Sequence, residues 1–179
     1  MRLRELVAAD RGRVEEITRA TGLFRPEELA IALEVFDAAL GLGLTGGPDP
    51  DYVLLGAEAQ GGARDGELLG WICWGPTPCT RGTYDLYWMA VDPALQRAGV
   101  GRALLGEMEH RLEGVARLIV VETSGRADYD GTRAFYERHG YRATARIPDF
   151  YAPDDDQVVY VKVTTGAAPD AFHAPEGGG

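Results

Sequence analysis

The chain has 179 residues, 45% of them hydrophobic and 26% charged, which is one domain's length and enough to bury roughly 70% of the surface exposed by the unfolded form. A formal net charge of −10 argues against nonspecific nucleic-acid binding and suits a cationic ligand. The start, Met1-Arg2-Leu3-Arg4-Glu5, has charges where a signal peptide has an apolar core, and no apolar run approaches membrane-spanning length, so a cytoplasmic protein without membrane contact is expected.

Arg2 to Val7 alternates charged and apolar residues and predicts a short first strand. Asp10 is placed to N-cap a helix through about Arg19, with Val14 and Ile17 on one face, and Gly22 ends it. Pro26 at a first helical position, followed by Glu27 and Glu28 at the positive end of the dipole, opens a second helix. Its stripe is Leu29, Leu33, Phe36 and Leu40, and Gly41 to Pro50 reads as a loop. Tyr52 to Ala59 and Glu67 to Gly75 are β-prone runs joined by the glycine-rich Gly61 to Gly66, as in a hairpin. Trp71 and Trp74, three apart, face opposite sides of a strand, one toward the core and the other toward a cleft. Cys73 reads as a small core residue and Cys79 as a loop thiol; neither has the neighbours of a metal site, and no metal is expected.

Gly75-Pro76-Thr77-Pro78 should interrupt the strand, and Thr83 to Val91 should form the next. Strict alternation puts Asp85, Tyr87, Met89 and Val91 on one face, with Leu86, Trp88 and Ala90 on the other. A carboxylate in such a strand is costly to bury unless it is paired or has a task. Asp85 is therefore either a candidate base or a strand-end charge solvated or paired near Arg81.

The strand runs into Val91-Asp92-Pro93-Ala94-Leu95-Gln96-Arg97-Ala98-Gly99-Val100-Gly101-Arg102. Gly99 and Gly101 allow a tight turn and close approach of an anion. The helix that follows, with Leu104, Leu105, Met108 and Leu112 on its apolar face, points unpaired N–H groups and a positive dipole end at that anion. A nucleotide-binding Walker loop would need Lys followed by Ser or Thr where Arg102-Ala103 stands, and a dinucleotide fingerprint would need a third Gly and a distant acid. Arg117 to Thr123 reads as a strand covered on both faces, ending in Glu122-Thr123-Ser124-Gly125. Asp130 or Gly131 begins a helix carrying Phe135 and Tyr136, and Gly140 ends it. Tyr141 to Ile147 and Gln157 to Val163 read as strands around a loop bearing Asp149, Phe150, Tyr151, Asp154, Asp155 and Asp156. That loop is either an aromatic, acidic rim for a cation or a solvated turn. Residues 166–179 read as a disordered tail after a single domain of residues 1–165.

Gln96-Arg97-Ala98-Gly99-Val100-Gly101, preceded by Val91-Asp92-Pro93, resembles the acetyl-CoA pyrophosphate loop of the GCN5-related N-acetyltransferase (GNAT) superfamily. Thr132 to Tyr141 resembles the same superfamily's second signature, in the expected order. The resemblance covers roughly residues 1–165 and implies an α/β (α+β) fold: a mixed, mostly antiparallel sheet of about seven strands with helices on both faces. It implies acetyl transfer from acetyl-CoA to a primary amine by direct attack in a ternary complex. Met89, Ala90 and Val91, the loop from Gln96 to Arg102, and Tyr129 would bind the cofactor, and a backbone N–H near Met89 would polarise the thioester carbonyl. Tyr129 stands where the superfamily usually has Asn, and Thr132 where it usually has Ala. Tyr136 would protonate the departing thiolate. Asp85, or else Glu122 at the splay between the fourth and fifth strands, would be the base, although Glu122 also suits a structural pair with an arginine. The two helices after the first strand would wall the acceptor site, with Phe24 and Phe36 as core residues or substrate contacts. The acceptor, a small molecule or a protein N-terminus or lysine, is left open, as is a homodimer. A rival reading is a non-catalytic acyl-CoA sensor or interaction domain on the same fold.

Overall fold

Seven strands form one sheet in the order β1-β2-β3-β4-β5-β7-β6. A computed structural model describes residues 1–42, 47–49, 51–95 and 98–164 of the chain. The expected tail and the loop residues Gln96 and Arg97 lie outside the described residues. The strands are β1 (Arg2–Glu5), β2 (Val53–Glu58), β3 (Leu68–Pro76), β4 (Thr83–Val91), β5 (Leu118–Ser124), β6 (Arg142–Ala152) and β7 (Asp155–Val163), and the helices are α1 (Arg11–Ala20), α2 (Pro26–Ala39), α3 (Val100–Arg111) and α4 (Asp130–Arg138). The β4–β5 pair is parallel and the other neighbours are antiparallel. Among the described residues no helix is long and apolar enough to cross a membrane.

The periodicities explain how the layers assemble. Val14 and Ile17 of α1, with Ala32, Leu33 and Phe36 of α2, bury against Leu54, Trp71, Cys73 and Ala90 on one sheet face. Leu104, Leu105 and Met108 of α3 and Tyr136 of α4 bury against Leu55, Ile72, Trp74, Leu86, Ile119, Val121 and Tyr160 on the other. β3 is thus the strand sandwiched on both faces. Trp71 and Trp74 do point to opposite sides, but both are core and neither lines a cleft. The Trp71 indole N–H donates to Thr18 Oγ1 at 3.0 Å, which satisfies its polar end.

β5 departs from the expected double coverage. Ile119 and Val121 are buried under α3 and α4, whereas Leu118 and Val120 are half-buried and Glu122 is exposed, because α1 and α2 reach only as far as β4. The uncovered face of β5 is free to become a binding surface. At the hairpins, β3 continues through Pro76 and β6 through Ala152, so the two predicted loops are shorter than expected. Positive φ at Asp149 and Asp154 lets the β6–β7 turn close, with the Asp154 amide donating to Asp149 Oδ1 and the Asp149 amide to Asp156 Oδ1. Most of the predicted acidic rim therefore serves the turn, with Arg146 pairing Asp156, and only Tyr151 and Asp155 face a cavity.

Candidate active site

β4 is the hinge of the site. Its register against β3 slips between Leu86 and Trp88, leaving Tyr87 as an extra residue. Such a bulge re-aims side chains. Leu86 stays with Met89 and Val91 on the α3/α4 face, while Tyr87, Trp88 and Ala90 pack toward α1/α2, so the strict alternation read from the sequence fails at this point. Asp85 lies opposite Val120 in the parallel pairing, and two residues further along β5 is Glu122. The pairing of β4 with β5 stops at Leu86 and Val121, and from Tyr87 to Val91 the β5-facing edge of β4 is left open, which is the expected splay.

Beyond β4 the chain makes the anion cradle. Gly99 takes φ +84°, a backbone conformation that favours glycine, and a Cβ there would meet no atom of the described residues within 4 Å. Gly101 has no positive φ. The first α-helical bond closes from the Ala103 N–H to the Gly99 carbonyl at 3.0 Å, which leaves the preceding amides of Val100, Gly101 and Arg102 without intrahelical partners. These three residues line a cavity of 820 Å³ that also meets Met89, Ala90 and Val91 of β4, and Phe135, Arg138 and His139 of α4. Ala98 is exposed beside it.

Asp92 sets the turn leading into this cradle. Its Oδ1 accepts the Ala94 N–H at 2.9 Å, and its Oδ2 accepts from both Arg13 and Arg64 at 2.6 Å. Burial opposes ionisation of Asp92, but these donors overcome it and hold the carboxyl below the usual range. Arg13 and Arg64 come from α1 and the β2–β3 connection, and nothing in their local sequence marks them as part of this turn.

A second cleft, of 530 Å³, opens between the α1–α2 loop, β4, β5 and the β6–β7 hairpin. Asp85 and Glu122 both line it. Asp85 accepts from the Thr77 hydroxyl at 2.8 Å, and Glu122 accepts from the Gln157 amide at 2.7 Å. The arginine pairs considered for both are absent among the described residues. Partial desolvation on the cleft wall, and then the charge on Asp85, raise the Glu122 carboxyl above its ordinary value against the Gln157 hydrogen bond.

The two cavities share Leu23, Phe24, Met89, Thr132 and Tyr136. Tyr136 is 4% exposed, and its hydroxyl makes no hydrogen bond among the described residues. Burial, with Tyr129 nearby, pushes its pKa up, so the phenol stays protonated at neutral pH. Tyr129 lies in the cleft rather than the α3 cavity; its hydroxyl donates to the Leu23 carbonyl at 3.1 Å, and the Arg126 guanidinium sits over its ring. Phe36 is core, whereas Phe24 borders both cavities and packs on Trp88. Phe135, Arg138, His139 and Arg25 are site residues that the sequence reading missed, since each reaches its cavity only through the packing of α4 and the α1–α2 loop, and Gln157 of β7 was missed as the partner of Glu122.

An anion cradle and a cleft lined by carboxylates thus meet at Tyr136. No curated protein matches the chain by sequence. Among solved structures, one from Desulfovibrio desulfuricans assigned to the GNAT family is 39% identical, covers 90% of this chain and 98% of its own, and superposes with a TM-score of 0.80. The ribosomal-protein-S18-alanine N-acetyltransferase of Escherichia coli, 20% identical over 96% of this chain and 98% of its own, has a TM-score of 0.68. An aminoglycoside 6′-N-acetyltransferase solved with coenzyme A, 18% identical over 91% of this chain and 97% of its own, also has a TM-score of 0.68. Residues 51–143 match the model of the acetyltransferase (GNAT) domain, and the chain belongs to the GNAT acetyltransferase family.

Proposed function

We propose that the chain is an N-acetyltransferase that moves an acetyl group from acetyl-CoA to a primary amine by direct attack in a ternary complex. The observation that carries this reading is that the α3 cavity and the β4/β5 cleft share Tyr136, whose hydroxyl has no hydrogen-bond partner among the described residues. The amides of Val100, Gly101 and Arg102, with Arg102 and the loop residues Gln96 and Arg97, would hold the pyrophosphate. The open edge of β4 from Tyr87 to Val91 would receive the pantetheine arm, and a backbone N–H near Met89 would stabilise the developing oxyanion. The acyl thioester supplies the electrophile.

Glu122 is the better base. Its raised carboxyl ionises closer to neutral pH and therefore has more affinity for a proton than an ordinary carboxylate. Converting an ammonium and a thioester into an amide and a thiol releases one proton. Glu122 takes that first proton and passes it to solvent. As the N–C bond forms and the C–S bond breaks, Tyr136 gives its proton to sulfur and recovers one from nitrogen. Tyr136 can start this step because its phenol is held protonated.

Calorimetric titration with acetyl-CoA, repeated on Gly99→Val, tests the cradle, and thiol release with an amine panel tests the transfer. Binding by the wild type that the variant loses, together with amine-dependent thiol release, is expected. Tight binding with no release to any amine would favour a sensor domain instead.

A further inference from the structure

The carboxylates of the β4/β5 cleft divide into those with a cation and those without. Arg25 pairs Glu28 at 3.3 Å and approaches the exposed Glu27 at 3.6 Å. Arg126 pairs the buried Asp155 at 3.4 Å, and Ser124 Oγ also donates to Asp155. Asp85 and Glu122 have only the neutral donors Thr77 and Gln157, and no ion pair among the described residues. They share one face of the β4–β5 pair and line the same cleft as Tyr136, a residue 4% exposed whose hydroxyl has no hydrogen-bond partner among the described residues.

Charge balance through the reaction then favours one kind of acceptor. When Glu122 takes a proton from the attacking nitrogen, its own charge is cancelled and that of Asp85 is not. A monoamine leaves Asp85 as an uncompensated charge in a partly desolvated cleft, which is unfavourable. A second ammonium on the same molecule matches both carboxylates before the proton moves and matches Asp85 afterwards.

The mouth of the cleft limits size. The Arg25 guanidinium donates to the Tyr151 carbonyl at 3.3 Å, tying the α1–α2 loop to the β6–β7 hairpin. Arg126 and Tyr129 both donate to the Leu23 carbonyl at 3.1 Å, tying the same loop to the segment ahead of α4. Phe24, Tyr87 and Trp88 line the interior with aromatic surface, which suits an aliphatic spacer and the ring-face attraction of an ammonium.

We infer that the acceptor is a short alkane diamine or polyamine, one nitrogen attacking the thioester and a second held at Asp85, an inference that rests on the transfer reaction proposed above. The test compares 1,4-diaminobutane, n-butylamine and a short peptide with a free N-terminus, by steady-state thiol release and by calorimetric titration into the protein saturated with CoA. The expected result is a kcat/KM for the diamine at least about tenfold above butylamine and peptide, with Asp85→Asn collapsing that ratio. Equal rates for diamine and monoamine, or a preference for the peptide, would overturn the dication site while leaving amine acetylation standing. Diamine binding that Asp85→Asn weakens, without turnover of any amine, would uphold the site and overturn the transfer reaction. Neither binding nor turnover would overturn both.

Discussion

The α3 cavity and the β4/β5 cleft are built by opposite means. The cavity draws on the backbone of one continuous strand, turn and helix, with unpaired amides at the start of α3 and cationic Arg102 and Arg138 on its border. The cleft draws on side chains from the α1–α2 loop, β4, β5, α4 and the β6–β7 hairpin, and its lining charges without an ion pair among the described residues are the carboxylates Asp85 and Glu122. A site made of amides asks little of side-chain identity except where the backbone conformation itself needs glycine. In a site made of converging side chains, each one is separately replaceable, so specificity can change without disturbing the cradle. Tyr136 stands on the border, and its substitution should separate the two most sharply.

Tyr136→Phe keeps the ring in its core position against Tyr141 and Tyr160 and removes only the proton donor. It should lower kcat by about 100-fold, the scale of a lost general acid, with acetyl-CoA affinity nearly unchanged by titration. Equal losses in kcat and affinity would assign the tyrosine to the cradle and dissolve the proposed border.

Gly99→Val should do the reverse. The left-handed conformation costs a side chain roughly 1–2 kcal/mol, about tenfold in an equilibrium, and the strain falls on the turn that aims the α3 amides. Acetyl-CoA affinity should drop about tenfold or more, while single-turnover rates at saturating cofactor change little. An unaffected affinity would mean that the amides of α3 are not the recognition element.

Gln157→Leu probes the cleft alone. The buried amide, 3% exposed, donates to Glu122, and that hydrogen bond favours the ionised carboxylate. A base must be ionised to act, so the rate rises with pH through the Glu122 ionisation, which already lies above the ordinary carboxylate value. Removing the donor raises it further and shifts the rising limb to higher pH. A loss of kcat of about tenfold should accompany the shift, the size of a hydrogen bond to a charged group, with acetyl-CoA binding intact. A merely structural amide would leave the limb in place.

How legible each region was follows from the same difference. The cradle is contiguous in sequence, so Val91 to Arg102 carried its strand, turn and helix in plain view, as did the stripes of α1, α2 and α3. Thr83–Val91 kept its predicted ends but not its faces, because the bulge at Tyr87 arises from the register with β3 and leaves no mark in the residues of β4 alone. The coverage of β5 depends on how far α1 and α2 extend across the sheet, which its apolar run does not encode. Asp85 and Glu122 were found as charges in apolar strands, yet their partners Thr77 and Gln157 are neutral residues brought in by the β3–β4 connection and by β7. The acidic run Asp154 to Asp156 carried two readings in sequence. Backbone amides and Arg146 took up Asp149 and Asp156 for the turn, leaving Asp155 to the cleft.

The smallest expected effect lies behind the cradle. Arg13 and Arg64 converge on one oxygen of Asp92, so either arginine alone still leaves the carboxylate paired and avoids the large penalty of an orphaned charge. Arg13→Met keeps most of the side chain's apolar length and should weaken acetyl-CoA only a few-fold, by loosening the turn at Pro93–Leu95, with no change in the ratio of rates among amines. Asp92→Asn should cost more, since it removes the charge that both guanidiniums face. Because the Asp92 carboxyl is held below its ordinary value of about 3.9, its contribution to stability is complete above that range. It is lost only as pH falls through the lower, folded value, so thermal unfolding at neutral pH should show the full effect of Asp92→Asn and unfolding near pH 2 much less of it. A change in amine preference from Arg13→Met would mean that the turn reaches the cleft as well as the cradle, and the two regions would not be independent.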